Sequence, residues 1–355
     1  MRDADASHPH LLGEGRPVTH LPNPIVLQRA DPFVLRTEDG YLFTGTHPHY
    51  DRIALRRAPS LGGLQDAEEL TVWRRHADGP MSALIWAPEI HRIGKSWIIY
   101  FAAAPTTEID PDTDTFRHRI FCLENRDTDP FSDHWIEKGQ VSTGLDTFCL
   151  DATTFEHRGV RYLVWAQQDP SILGHSNLYI ARMANPWTLA GQPVLLSTPD
   201  FPWEQVRFIV EEGPAVLLHG DRAFLTFSAS GTGPEYAMGL LVASLDSDLL
   251  DPRSWRKCPE PVFVSNAPAR QFGPGHNSFT TSPGGRDILV YHCRNYVEIN
   301  GDPLGDPNRH ARIALINWDS SGMPAFGSPG IDTRWTPVTT DVLPPCGRVL
   351  EYRGV

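Results

Sequence analysis

The chain has 355 residues, enough for one large all-β domain or two average ones, and its 40% apolar content excludes a disordered polymer. A net charge of −12 argues against a nucleic-acid partner, because neutralising phosphates takes clustered Lys and Arg. Glycine (29) and proline (32) are plentiful, which suits many short strands joined by tight turns.

Residues 1–22 read as an irregular lead-in, and 23–355 as a single folded domain. Within it one pattern recurs five times, at a spacing of about sixty residues. A polar or acidic residue opens an apolar strand, a turn follows, and a second apolar run returns. Ala30-Asp31-Pro32-Phe33 is followed by Tyr41-Leu42-Phe43, and Ala87-Pro88-Glu89-Ile90 by Trp97-Ile98-Ile99-Tyr100-Phe101. Leu150-Asp151-Ala152 leads to Tyr162-Leu163-Val164-Trp165, and Glu211-Glu212-Gly213-Pro214 to Ala223-Phe224-Leu225. Gly275-His276-Asn277-Ser278 leads to Ile288-Leu289-Val290-Tyr291-His292. The repeat predicts an all-β, five-bladed β-propeller, with each blade burying its faces against its neighbours.

Blade one is expected from about Asn23 to Arg75, with an outer strand at Ile53–Arg57 and a loop at Leu61–Leu70. Blade two starts near Trp86, and its polar segment 105–115 reads as a long loop over one face. Blade three begins at Leu150 and turns at Asn185-Pro186-Trp187. Blade four begins at Ile209 and turns at Asp251-Pro252-Arg253-Ser254-Trp255. Blade five begins at Gly273 and includes Ala311–Ile316. The tail from Asp332 either supplies a closing strand or packs back near blade one.

The five cysteines, Cys122, Cys149, Cys258, Cys293 and Cys346, are scattered with no Cys-x-x-Cys, so reduced thiols are expected rather than a zinc site. The first fifteen residues lack a charged-then-apolar leader, and no apolar run reaches membrane-spanning length. The expectation is a cytoplasmic protein with no membrane partner, or a secreted one if a leader has been removed.

The first strand of each propeller blade lines the axis, so the residues opening those strands converge on one mouth. Asp31, Asp151 and Glu212 would meet there. Two carboxyls in unlike environments are what glycoside hydrolysis needs, one ionised to activate water and one protonated to donate to the leaving oxygen. A third acidic group raises the pKa of the acid by repulsion. The plainer alternative is that Asp31 and Asp151 cap turns at strand starts.

Taken together, Ala30-Asp31-Pro32-Phe33, Trp86-Ala87-Pro88-Glu89, Leu150-Asp151-Ala152, Glu212-Gly213-Pro214 and Gly273-Pro274-Gly275-His276-Asn277-Ser278 resemble glycoside hydrolase family 43. The similarity runs in order from about Asn23 to Pro329. The stretches 291–296 and 301–310 resemble a subgroup containing exo-acting α-L-arabinofuranosidases. The resemblance implies an inverting hydrolase in which Asp31 is the general base, Glu212 the general acid and Asp151 the residue that tunes and holds the acid. The two working carboxyls would then stand roughly 6.5–9.5 Å apart. Glu211 competes with Glu212, but adjacent strand residues face opposite sides and the Gly-Pro that follows favours Glu212.

Trp86 is either a stacking platform for a sugar face or a core tryptophan. Phe33 would share the face of Asp31 as a pocket wall, or else belong to the core. Arg294, after the blade-five run, matches a sugar-binding arginine, with a surface salt bridge as the alternative. The resemblance also implies a hydrated calcium on the axis near His276, held through water because calcium prefers oxygen. The alternative is a hydrogen-bonded core histidine.

The implied substrate is a plant cell-wall oligosaccharide or polysaccharide, arabinan above all. A β-D-xylosidase, a bifunctional xylan-degrading enzyme and a non-catalytic glycan-binding propeller are the competing readings.

Overall fold

The computed structural model describes residues 21–334. The expected lead-in lies almost wholly outside the described residues, as do Cys346 and most of the tail.

Five antiparallel sheets follow one another along the chain as the blades of a propeller. Blade one comprises Ala30–Thr37, Gly40–Thr46, Arg52–Ala58 and Leu70–Arg74. Blade two comprises Ala83–Ile93, Ser96–Ala104, Arg119–Asn125 and Ile136–Gln140. Blade three comprises Cys149–His157, Val160–Gln167, Asn177–Asn185 and Thr188–Ser197. Blade four comprises Glu211–His219, Arg222–Ala229, Ala237–Ser244 and Trp255–Lys257. Blade five comprises Phe272–Thr281, Asp287–Arg294 and His310–Leu315. There is no α-helix among the described residues, only short 3-10 turns.

The second strand of blade two shows how sequence makes the core. Trp97, Ile99, Phe101 and Ala103 point into the cluster shared with blade one, where they meet Phe33, Ile53, Trp73 and Ile90. Ile98 and Tyr100, at the intervening positions, point into the cluster shared with blade three, where they meet Leu163 and Trp165. A strand apolar at every position is the signature of a sheet buried on both faces. Truncating Phe101 to Ala would cost about 3–5 kcal/mol.

Blade five has three strands of its own, which would leave the backbone groups of its outermost strand unpaired. The chain just before blade one supplies them. Ile25 N–H donates to Ala311 O (2.8 Å), and Ala311 N–H donates to Val26 O (2.9 Å). The Asn23 side chain exchanges two 2.8 Å bonds with the backbone of Ile313. Asn23–Val26 therefore belongs to blade five, a correction to the expected start of blade one. Thr333 and Arg334 donate their N–H groups to Asn23 O.

Segment 105–115, expected as a loop, contains part of a small hairpin in which Ile109–Asp110 pairs with Thr115–Phe116. Residues 61–70 include a 3-10 turn, Leu61–Gln65, capped by Ser60.

Candidate active site

Every innermost strand carries the same irregularity near its start. The pairing register slips between Ala30 and Phe33, Trp86 and Glu89, Leu150 and Thr153, Glu212 and Ala215, and Gly275 and Ser278. Inside each slip one residue adopts the left-handed conformation: Asp31 (φ 53°), Ala87 (44°), Asp151 (57°), Gly213 (53°) and His276 (41°). A non-glycine residue held there costs roughly 1–2 kcal/mol, and such strain concentrates at functional sites. The bulge bends the strand and re-aims the side chain. The result is a ring of five equivalent positions, three of which bear Asp31, Asp151 and His276. Glu212 precedes its left-handed residue by one position.

Asp31 is buried among cations and donors. Its Oδ1 lies 3.2 Å from His276 Nδ1, 3.5 Å from His292 Nδ1 and 3.8 Å from Arg309 Nη1. Thr46 Oγ1 donates to its Oδ2 at 2.5 Å, and in turn accepts from Ala87 N–H at 2.7 Å. Burial opposes its ionisation, but His276, Arg309 and the Thr46 bond outweigh burial and bring its pKa down to about 2. His292 accepts the Asp31 N–H on Nδ1 at 3.0 Å, so its proton resides on Nε2, and burial holds the ring neutral.

Asp151, Glu212 and His276 converge, with ligand atoms all within 4.8 Å of one another. Asp151 Oδ2 accepts from Gly213 N–H at 3.0 Å and lies 3.9 Å from His276 Nδ1. Gly213 itself must be small, since a Cβ there would stand 3.0 Å from the His276 ring. Burial drives the Asp151 carboxyl up to about 7 against the pull of His276, with Glu212 and Asp31 adding repulsion. Burial likewise raises Glu212, opposed by the Tyr236 hydrogen bond and by His276. Both acids are thus pushed toward the protonated form while Asp31 is pushed toward the ionised one, two environments set apart in one mouth.

Glu211 goes the other way. Both adjacent glutamates precede the bulge, so strand alternation holds between them. Glu211 Oε1 lies 2.5 Å from Lys257 Nζ and accepts from Ser197 Oγ at 3.0 Å, beside the equally buried Glu204.

Among the other expected residues, Trp86 is buried, stacked on His118 (4.1 Å between centroids) and edge-on to Tyr50 and Phe116, with its Nε1 unpaired. Phe33 lies in the apolar cluster between blades one and two, against His91, because the bulge at Asp31 breaks the alternation that would have set both on one face. Arg294 is buried and donates from both Nη atoms to carbonyls, those of Thr232 and Pro303, each at 2.6 Å. The guanidinium beside Asp31 is instead that of Arg309, whose Nη2 meets the Tyr50 hydroxyl at 3.2 Å. Tyr50 also donates to Leu304 O, so the 295–309 insertion of blade five is fastened to blade one.

Sequence reading missed Arg309, Thr46, Tyr236 and the role of His292. Two signals existed. Arg309 and His292 both lie in the blade-five stretches quoted for the family resemblance, and Thr46 closes the strand paired with the Asp31 opening. Tyr236, in the turn before a blade-four strand, carried none.

Asp151, Glu212 and His276 offer two carboxylates and one imidazole, and His276 Nδ1 already faces Asp31. Calcium takes about six to eight oxygens, so these atoms could serve one side of a hydrated ion but not enclose a bare one.

The sequence profile described as glycosyl hydrolases family 43 matches residues 21–324. A protein of Streptomyces avermitilis named extracellular exo-α-(1→5)-L-arabinofuranosidase is 48% identical over 91% of the chain. An α-L-arabinofuranosidase 43 of Humicola insolens is 50% identical over 88%. The chain spans just under two thirds of each of these relatives, 66% and 64%. The crystal structure of an α-L-arabinofuranosidase from Lactobacillus brevis superposes with a TM-score of 0.87 at 53% identity, covering 89% of this chain and 98% of that one.

Proposed function

The chain belongs to glycosyl hydrolases family 43, a family of inverting enzymes, and from that premise we propose that it is an exo-acting α-L-arabinofuranosidase releasing arabinose from arabinan or arabino-oligosaccharides. The observation that carries this reading is the division of labour in the mouth. One carboxylate is held ionised at about 2, and two neighbouring acids are pushed up by burial and repulsion.

In this reading Asp31 is the general base, Glu212 the general acid and Asp151 the residue that tunes and holds it. Water gives a proton to Asp31 while its oxygen adds to the anomeric carbon from one side. The bond from that carbon to the leaving oxygen breaks on the other side, and its electron pair stays on that oxygen, which takes the proton of Glu212. Configuration inverts, as in a single displacement. Arg309, whose Nη1 lies 3.8 Å from Asp31 Oδ1, is the guanidinium next to the base and would meet sugar hydroxyls there, and Arg294, which like Arg309 keeps a buried Nε without a hydrogen-bond partner, stays a second candidate for that contact. Trp86 offers its ring as a platform wall. Phe33 supports the blade behind it.

The 295–309 insertion, fastened to blade one by Tyr50, stands beside Arg309 and Asp31 on one side of the mouth, which suits a pocket taking one chain end rather than an open cleft. The names of all three relatives favour arabinofuranose over xylopyranose. The extracellular naming of the Streptomyces relative favours action outside the cell over a cytoplasmic setting, with plant cell-wall arabinan as the polymer met there. Asp151, Glu212 and His276 are the residues that would hold a hydrated calcium through water, and the ion would supply positive charge to the acids of the mouth.

The sugar assignment is tested with 4-nitrophenyl α-L-arabinofuranoside and 4-nitrophenyl β-D-xylopyranoside. Preferred cleavage of the first is expected, and preference for the second would move the assignment to a xylosidase.

A further inference from the structure

Tyr236 is buried at the end of the turn leading into Ala237–Ser244, and its hydroxyl donates to Oε1 of Glu212 at 2.6 Å. Three contacts fix its ring and its backbone. It lies parallel to His292, at 4° and 5.8 Å. Gly275 leaves it room, since a Cβ there would stand 2.3 Å from ring carbon Cε1. Its backbone N–H closes the turn onto Gly233 O at 3.2 Å. The stacked His292 is the same ring that accepts the Asp31 N–H. One aromatic pair thus holds the carboxyl of Glu212 and the backbone of Asp31.

We propose that Tyr236 is a positioning residue for proton donation, directing the transferable proton of Glu212 onto Oε2 and stabilising the carboxylate left behind. This rests on the reading of Glu212 as the general acid. A carboxylic acid has one O–H and one carbonyl oxygen, and the phenol takes the carbonyl oxygen as its acceptor. Oε1 is therefore occupied, and the proton sits on the other oxygen. As that proton passes to the leaving oxygen, the acceptor becomes an anion. A hydrogen bond to an ionised acceptor is roughly twice as strong as a neutral one. The bond is stronger in the transition state than in the ground state, which is the condition for accelerating the step. Burial, with Glu212 beside it, raises the Tyr236 phenol well above its ordinary pKa, so it remains a donor throughout.

The effect must scale with how much proton the leaving group needs. In Tyr236→Phe, kcat/KM on α-1,5-arabinobiose should fall about 10–100-fold, while 2,4-dinitrophenyl α-L-arabinofuranoside, whose leaving group needs little protonation, should lose under about 3-fold, with KM nearly constant. Equal losses on both substrates would mean a merely structural ring and would overturn the proposal. Should Tyr236→Phe fail to fold, 3-fluorotyrosine placed at position 236 keeps the shape and makes the phenol a stronger donor. A disaccharide-to-aryl rate ratio at or above that of the parent supports the proposal, and a lower ratio overturns it. Glu212→Gln is run in parallel. If it loses both substrates alike, the acid assignment itself has failed. If it discriminates and Tyr236→Phe does not, only the role of Tyr236 falls.

Discussion

Nδ1 of His276 stands 3.2 Å from Oδ1 of Asp31 and 3.9 Å from Oδ2 of Asp151, so one imidazole faces two carboxylates of the mouth. Burial disfavours its charge, but Asp31, Asp151 and Glu212 together raise its pKa. The cation so favoured holds Asp31 ionised and ready to accept a proton from water.

Asp31→Asn should therefore lower kcat about 10²–10⁴-fold. The loss should be the same for aryl arabinofuranosides and arabino-oligosaccharides, because water activation does not depend on the leaving group. Steady-state kinetics on both substrates checks this, and retained activity on either would remove Asp31 from the role of base.

Asp151 provides a test in folding rather than rate. Its carboxyl, ordinarily at 3.8, is pushed up to about 7 in the folded chain. Between those values the folded state binds more protons than the unfolded one, so this group's contribution to stability declines as pH rises from about 4 to about 7. Asp151→Asn removes the decline. The variant should gain on the parent across that window, most at pH 7 and above. Urea unfolding from pH 4.5 to 8 measures the difference, and a flat or reversed trend would mean that Asp151 is ionised when folded.

The neighbouring glutamates should separate cleanly. Glu212→Gln should impair arabino-oligosaccharides far more than activated aryl glycosides. Glu211→Gln should leave that ratio unchanged and lower stability by about 1–3 kcal/mol, because Lys257 loses a charged partner. Leaving-group dependence in Glu211→Gln instead would exchange the two assignments.

Much of this arrangement was legible in the sequence, because a propeller repeats its strand openings and the carboxylates occupy them. Asp31, Asp151 and His276 fall at equivalent positions, and a recurring motif exposes that equivalence. The bulge was not legible. It is a backbone event set by pairing with the next strand, and it carried Phe33 away from the face that simple alternation assigned. The surroundings of Arg294 were hidden for a related reason. Its place after a strand matched expectation, yet the carbonyls that capture it come from Thr232 and Pro303, in loops distant along the chain or folded back upon it. Blade closure escaped notice because Asn23–Val26 and His310–Leu315 are joined only in three dimensions.

The most direct test is a time course on linear α-1,5-arabinan with products separated by chromatography. An exo-acting arabinofuranosidase with a one-sided pocket predicts free arabinose from the first time points, with no accumulating intermediate oligomers. Early appearance of a ladder of arabino-oligosaccharides, or an inert polymer beside rapid release of xylose from xylo-oligosaccharides, would contradict it.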